Sequence, residues 1–562
     1  YLRDKNYGAA RRLLTTTAGR SGKDDATVLA WRKKLVQAAD QRLQSAREHF
    51  AAERFRPARA AALEAVEIWP SVAGASELLA QVDAAYPMVV VAVPQGETVH
   101  AIAPALHPAQ VRRGRITHRP LVWLRGYTAR GPQYESDWGE IDLASDRQHV
   151  DIQLHQRGDS STAMTAYDLT DVILEAGENG QDHTSLIQAV EVLDVYSARL
   201  HFARPQASPL AWLTRLTPEA ETAGDYVLQT DAANVQLLAR AGRVPQDAPQ
   251  EIVETKLADP AVAIDQLKRG KIDVIARVDP AQVNALRDEP TVTVVACALP
   301  RVHVLIPNRE RVFPANRTFR RAVAYALPRQ RILQEDLLGG QPQPGCRVDT
   351  GICPASDDED DFWAYGCNNS IAPLPYEPPL AVTLFQVARD EVAQLAEKQG
   401  RQAPPLESII IGHEDDGLHK KAAQAIVASL RQLGLPAEPL VVAEASDLAR
   451  CDFVYAELAP REPVVDVFEL LNSPYLPPSS IVDRQLQRLT EATGRRDTRE
   501  RLHELPATLH AEHTVTTLWQ TQTHFAIGER VKGISPQSLS LYQNVAEWRL
   551  STTNASAAGG EK

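Results

Sequence analysis

A large mixed α/β body behind a small all-α helical-hairpin domain is the fold class that the sequence predicts. Three observations carry it. Residues 1–86 are rich in Ala, Leu, Arg and Glu, keep a helical period and hold few β-branched residues. At "AAYPMVVVAVPQ" the pattern changes, with Pro87 followed by a β-branched run. From there to about residue 550, short apolar runs alternate with amphipathic stretches, the pattern of a mixed α/β body. With 562 residues the chain exceeds what one core supports, and about three units are expected.

Composition narrows the function. The chain is 44% hydrophobic and 23% charged, which suits a buried core throughout. Sixty basic against 72 acidic residues give 60 − 72 = −12, which disfavours a general grip on phosphate backbones, so no nucleic-acid partner is expected. The most continuous apolar runs, "MVVVAV" (88–93) and "VTVVACAL" (292–299), have strand length and fall well short of a bilayer span. The chain begins at Tyr1 rather than Met, so a membrane association is expected only through a signal or lipid anchor lying outside it. Of the five cysteines, Cys346, Cys353 and Cys367 share a loop rich in Gly, Pro and Asp, where two of them could pair in an exported chain. Cys297 and Cys451 sit in apolar runs and read as buried thiols.

The elements follow in order. "RFRPARAAALEAVEIWP" sets Phe55, Ala58, Ala62, Ala65 and Pro70 at offsets that resemble the second helix of a tetratricopeptide repeat, and "NYGAARRLL" (6–14) resembles its start. That resemblance implies a protein partner for residues 1–86; a generic helical hairpin is the alternative. Strands are predicted at 88–93, 190–195, 199–203, 272–276, 291–298, 302–306, 408–411 and 452–455. Helices are predicted at 166–176, 260–269, 280–287, 318–326, 329–338, 377–399, 416–433, 480–494 and 497–512. The tail 551–562 has little to bury and is predicted disordered.

Catalytic signatures fail on spacing. "HEDDGLH" (413–419) and "HELPATLH" (503–510) lack two histidines four apart on one helical face, so both read as ordinary surface histidines. There is no nucleophile elbow, phosphate loop or dinucleotide fingerprint. The Cys346, Cys353 and Cys367 spacing fits no zinc pattern, and "SDDEDD" (356–361) reads as a solvated loop. No enzyme activity, metal or cofactor is expected.

In "TFRRAVAYAL", Phe319, Ala322, Val323 and Ala326 recur at helical spacing and form one buried face. Pro328 suits the first turn of a following helix, and Gly339–Gly340 ends it. Arg320 and Arg321 stand near a helix start, where the macrodipole disfavours cations, so local carboxylates or carbonyls should hold them.

The stretch "NRTFRRAVAYALPRQRILQEDLLGG" resembles a segment of the family 5 extracellular solute-binding proteins, the peptide/nickel-type receptors of ABC importers. Further pieces resemble the same family in order: "TAYDLTDVIL" (165–174), "GDYVLQ" (224–229), "AVAIDQLKRGKIDVIARVDPAQVNAL" (261–286), "IAPLPYEPPLAVTLF" (371–385), "HKKAAQAIVASLRQLGLPAE" (419–438) and "TTLWQTQTHFAIGERVKGI" (516–534). The resemblance implies a two-lobed periplasmic-binding-protein-like body of type II, cluster C. Its first lobe would span 87–305, its second 306–515, with a return to the first over 516–550. It also implies an exported receptor, periplasmic or on the cell surface, that closes on a peptide or other small polar solute and serves an ABC permease.

The same resemblance directs attention to "DFVYAELAPREPVVDVFELL" (452–471). Peptide receptors of the family often hold the α-amine with an aspartate three residues before the acidic residue of an acidic-Pro pair; the pair here is Glu462–Pro463 and the matching position is Ala459. Glu457, Arg461, Glu462 and Asp466 are the nearby charges expected to orient a different ligand. Trp519, Gln520, Trp363 and Tyr365 are further ligand candidates, whereas Trp123 and Trp548 read as packing residues. An interaction protein that works through its helical first unit, without transport, is the alternative.

Overall fold

The computed structural model describes residues 7–21, 25–96, 102–155, 164–178, 186–217, 224–230, 234–402 and 404–551. Of the tail expected to be disordered, all but Ser551 lies outside the described residues. Four helices open the chain, Tyr7–Ser21, Ala26–Ala51, Phe55–Ile68 and Ala75–Ala85. Asp25 caps the second, its carboxylate accepting the N–H groups of Thr27 and Val28. Ala58, Ala62 and Ala65 are buried against Leu35, Ala39 and Leu43, so the small residues of the third helix face the second, as their spacing predicts.

The body is built on two large mixed sheets. The first runs Val292–Ala296, His524–Gly528, Val274–Ile275, Met88–Pro94, Glu251–Leu257, Asn234–Ala239, Tyr226–Thr230. Its central Met88–Pro94 strand pairs in parallel on both sides and is covered on both faces, which explains the unbroken apolar run. The second runs Arg347–Val348, Thr516–Thr521, Arg301–Pro307, Phe453–Leu458, Ile409–His413, Ala437–Val441. A smaller antiparallel sheet, Gly139–Leu143, His149–Leu154, Ser197–Phe202, Ile187–Asp194, flanks the first lobe.

Two segments cross between the lobes. Val292–Ala296 pairs with His524–Gly528 in the first sheet, and Arg301–Pro307 with Thr516–Thr521 in the second. The crossings therefore fall at 297–300 and 522–523, where Cys297 N–H donates to the Thr523 carbonyl at 2.9 Å. Such paired crossings form the hinge of a two-lobed clamp.

The arginine-rich stretch lies in the second lobe. Asn316 caps the helix Arg317–Tyr325, and Phe319 packs on Phe385 and Phe453 with ring centroids 5.1 and 6.2 Å away. Pro328 stands at the start of the next helical piece, Arg329–Arg331, which continues as a wider π turn over Ile332–Leu337. The single helix predicted for 329–338 is thus two pieces, ended as expected by Gly339 and Gly340 at φ +65° and +78°. Arg320 is buried and donates to the carbonyls of Pro314, Ala315, Glu512 and His513, which fits the expectation that local acceptors hold it.

Two expectations are corrected. All five cysteines are free thiols, and the Cys346 sulfur accepts the Gln522 N–H at 3.3 Å. His413 and His419 are buried rather than on the surface, and His503 and His510 are half-buried. "HEDDGLH" leads into the helix Gly417–Gln432, and that helix start faces the other lobe.

Candidate ligand site between the lobes

The first lobe presents a short anchored segment to the second. In the helix Pro108–Thr117, Arg112 and Arg113 both donate to the fully buried Glu254 carboxylate, at 2.8 and 2.6 Å. Burial alone would raise that carboxyl, yet the two guanidinium groups pull it down to about 2. These pairs tie the helix to the Glu251–Leu257 strand of its own lobe, and the residues before it reach the second lobe. The Leu106 carbonyl accepts the Ala459 N–H at 2.7 Å, and Ile102, Ala103 and Leu106 share a core with Leu458 and Val464. At the position where peptide receptors place an amine-binding aspartate, the backbone is occupied by the first lobe itself.

Beside that contact lies a buried set of charges. Arg277 of the first lobe donates from one guanidinium nitrogen to Glu457 and from the other to Asp416 at 2.8 Å, both in the second lobe. Asp416 also accepts from His419 Nδ1 at 2.6 Å, and His107 of the first lobe meets Glu414 at 2.8 Å. Burial would lower the His419 imidazole, but Asp416 and Glu414 raise it to about 9. Burial would raise Glu457, but Arg277, His303 and His419 hold it at about 2. Glu414, Asp416 and His419 offer ligand atoms within 4.8 Å of one another, and Arg277 with protonated His419 already supplies positive charge there.

The lobes also touch through backbone. A Cβ on Gly96 would stand 2.3 Å from the Asp415 nitrogen and 2.6 Å from its Cα. Gly96→Ala is therefore expected to force the lobes apart and cost about 1–3 kcal/mol by overpacking. Thermal unfolding checks the cost, and a larger small-angle scattering radius checks the opening.

A cavity of about 220 Å³ opens between the lobes beside these contacts. The first lobe contributes Trp123, Arg115 and Arg215; the second contributes Arg461, Glu462 and Asp466. Arg115 lies over the Trp123 ring at 4.2 Å and pairs with Asp137 at 3.1 Å. Glu462 accepts the hydroxyls of Tyr134, at 2.6 Å, and Tyr365, while burial pushes its carboxyl up to about 7. Asp466 accepts the backbone N–H groups of Arg461 and Glu462 and lies 3.4 Å from Arg215; burial raises it too. Arg461 differs from its neighbours. Among the described residues its guanidinium makes no hydrogen bond or ion pair, its Nε is buried without a partner, and burial lowers it to about 10.

The expected site residues thus separate into groups. Arg461, Glu462 and Asp466 meet in the cavity, Tyr365 braces Glu462 from the cysteine loop, and Glu457 is spent on Arg277. Trp519 is fully buried near His303 and Tyr455, with ring centroids 6.3 and 6.0 Å away, and the Gln520 amide is tied to Gly345 and Ala355. Trp363 is half-buried in the cysteine loop. Trp548 is fully buried and donates to Asn544, whereas Trp123, expected to be a packing residue, lines the cavity. Arg277 and His107 carried no local signal, because their partners lie more than a hundred residues away in sequence.

Two α/β lobes joined by paired crossing strands, with a polar cavity between them, define a clamp-type solute-binding protein. The chain belongs to the bacterial extracellular solute-binding proteins, family 5, whose profile matches residues 158–459. No curated protein sequence matches it. The fold is similar to NikZ from Campylobacter jejuni in complex with Ni(L-His), at 18% identity and TM-score 0.63 over 82% of this chain and 99% of that one. It is also similar to the oligopeptide-binding protein AppA from Bacillus subtilis with a nonapeptide, at 13% identity and TM-score 0.65 over 83% and 99%. AgaA from A. tumefaciens R10, in complex with agropinic acid, matches at 14% identity and TM-score 0.63 over 83% and 99%. Proteins of this family bind peptides or small solutes outside the cytoplasm, work with ABC permeases and are not enzymes. No helix among the described residues is long and apolar enough to cross a membrane.

Proposed function

We propose that this chain is a receptor in the periplasm or on the cell surface that captures a small carboxylate solute between its lobes and passes it to an ABC permease. One observation carries the reading: among the described residues Arg461 places a guanidinium without a hydrogen bond or ion pair in an interlobe cavity where Arg115 is paired with Asp137 and Arg215 with Asp466. A planar fork of donors suits a carboxylate, and a buried cation without a partner favours an anionic guest. The cavity of about 220 Å³ suits a small solute rather than an oligopeptide. The Leu106–Ala459 contact supports a choice other than a peptide amine.

Thermal-shift titration tests this. A carboxylate such as succinate or glycylglycine, at a hundred times its dissociation constant, should add about 2.7 kcal/mol of stability, and its amide should add nothing. Arg461→Ala should abolish the shift at little cost to the stability of the free protein, because the guanidinium makes no hydrogen bond or ion pair and only its attraction to Asp466 is lost. The second reading, an interaction protein working through residues 1–86, is favoured by the first-lobe segment seated on Ala459. A screen that stays flat for every carboxylate would turn the choice toward it.

A further inference from the structure

We infer that the solute is amphipathic, with a carboxylate at one end and an aromatic or aliphatic body at the other; this rests on the carboxylate reading above. Past the Arg461 cavity the cleft holds a second and larger one, of about 1010 Å³. Its apolar wall is Trp212 of the first lobe against Phe468 of the second, ring centroids 5.2 Å apart at 69°, with Ile102, Leu186 and Leu486 around them. Lobe closure therefore completes an aromatic corner that neither lobe builds alone.

The charges at its edge are unsuited to a second ionic group. Glu469 is paired with Arg215 at 3.2 Å, Arg204 donates to Thr490 at 2.8 Å, and Asp483 is exposed. The wall also carries Ser473, 7% exposed, whose Oγ is buried without a hydrogen-bond partner and marks a place for one polar atom within an otherwise apolar body.

The two cavities are neighbours along one element. Val465 lines both, and the Arg215–Glu469 pair joins a lining residue of the first to one of the second. Both cavities border the helix Pro463–Leu471, which starts beside Arg461 and Glu462 and carries Phe468 about 8 Å along its axis. The Pro104–Leu106 turn stands between them, with Ala105 on one cavity and Pro104 on the other. Val465 is buried at this divide, so a solute that spans both cavities enters while the lobes are open and, on closure, lies with its anion on Arg461 and its body on Trp212 and Phe468.

Calorimetric titration of the full chain with acetate, butyrate, hexanoate, octanoate and 6-phenylhexanoate, beside octanol, tests the inference. Affinity should rise about fourfold per added methylene once the chain passes Val465. Phe468→Ala should remove that rise while leaving butyrate unchanged, Phe468→Leu should restore most of it, and Arg461→Ala should weaken every acid. The melting curve of each variant establishes that it is folded. Equal affinity for butyrate and octanoate overturns the amphipathic solute and leaves the carboxylate reading in place, whereas octanol binding as tightly as octanoate overturns the carboxylate reading. No binding by any acid, or binding indifferent to Arg461→Ala, overturns the carboxylate reading itself.

Discussion

Arg277→Ala is expected to lower stability by about 3–5 kcal/mol and to release the lobes from each other, because it leaves Glu457 and Asp416 buried without their shared cation. Both carboxylates are almost fully covered, so water cannot take over that role without opening the cleft. Urea unfolding should register the loss, and small-angle scattering should record a larger radius. Unchanged stability together with an unchanged radius would show that the contact does not hold the lobes. Acidity gives an independent readout. The Glu457 carboxyl is held below its ordinary 4.5 at about 2, so its contribution is present above 4.5 and disappears as pH falls toward 2. The His419 imidazole is raised above its ordinary 6.5 to about 9, so its contribution is present below 6.5 and is lost as pH climbs through 9. The wild type should therefore weaken on both flanks. In Arg277→Ala the acid flank should move to higher pH, since Glu457 loses its strongest positive neighbour.

These contacts bear on how a receptor would work. A clamp held shut by its own ion pairs populates the closed state before solute arrives, and solute then has less of the closing free energy to supply. The corresponding cost is slower entry. Glu457→Gln, which leaves Arg277 its Asp416 partner, is the milder change and places the Arg277–Glu457 coupling in a double-mutant cycle.

Much of the architecture was legible because its strands are buried on both faces. "MVVVAV", "VHVLIP" and "FVYAEL" carry near-continuous apolar runs, and each is a central strand. In the smaller sheet Ile187–Asp194 and Ser197–Phe202 were legible, near the predicted 190–195 and 199–203, but Gly139–Leu143 and His149–Leu154 were missed for the opposite reason. In His149–Leu154 only Val150, Ile152 and Leu154 turn inward, between His149, Asp151 and Gln153, and so short an alternation competes poorly with the surrounding loops. The site divides along similar lines. Arg461, Glu462 and Asp466 were legible because they lie within six residues of one another around a helix start. Trp123, Arg277 and His107 were not, since each acts on a partner that only folding brings near. "HEDDGLH" misled through its composition: judged by zinc spacing it looked idle, whereas Asp416 caps a helix and meets Arg277 of the other lobe.

Arg530→Ala should have an effect of similar size at the other end of the first lobe, about 3–5 kcal/mol, by uncovering two buried carboxylates. Arg530 donates to Asp83 at 2.7 and 3.0 Å, to Asp273 at 2.8 Å and to the Met88 carbonyl at 2.9 Å. It thereby joins the fourth helix, the first strand of the body and the segment leading into Val274–Ile275. Arg59 of the third helix closes the group, 3.4 Å from Asp83 and 3.6 Å from Asp273. The helical unit is therefore fixed to the first lobe by charges taken out of water, and its orientation should be lost with them. Burial would raise Asp273, but Arg530 and Arg59 hold it below its ordinary value, so its contribution is present above about pH 4 and disappears as pH falls further. The gap between wild type and Arg530→Ala should accordingly narrow in acid, whereas a general packing defect would leave it constant. Hydrogen exchange locates the damage: protection in Phe55–Ile68 and Ala75–Ala85 should fall first, ahead of the Arg301–Pro307 strand of the second lobe. Equal loss of protection in both lobes would mean that Arg530 supports the body as a whole rather than the joint.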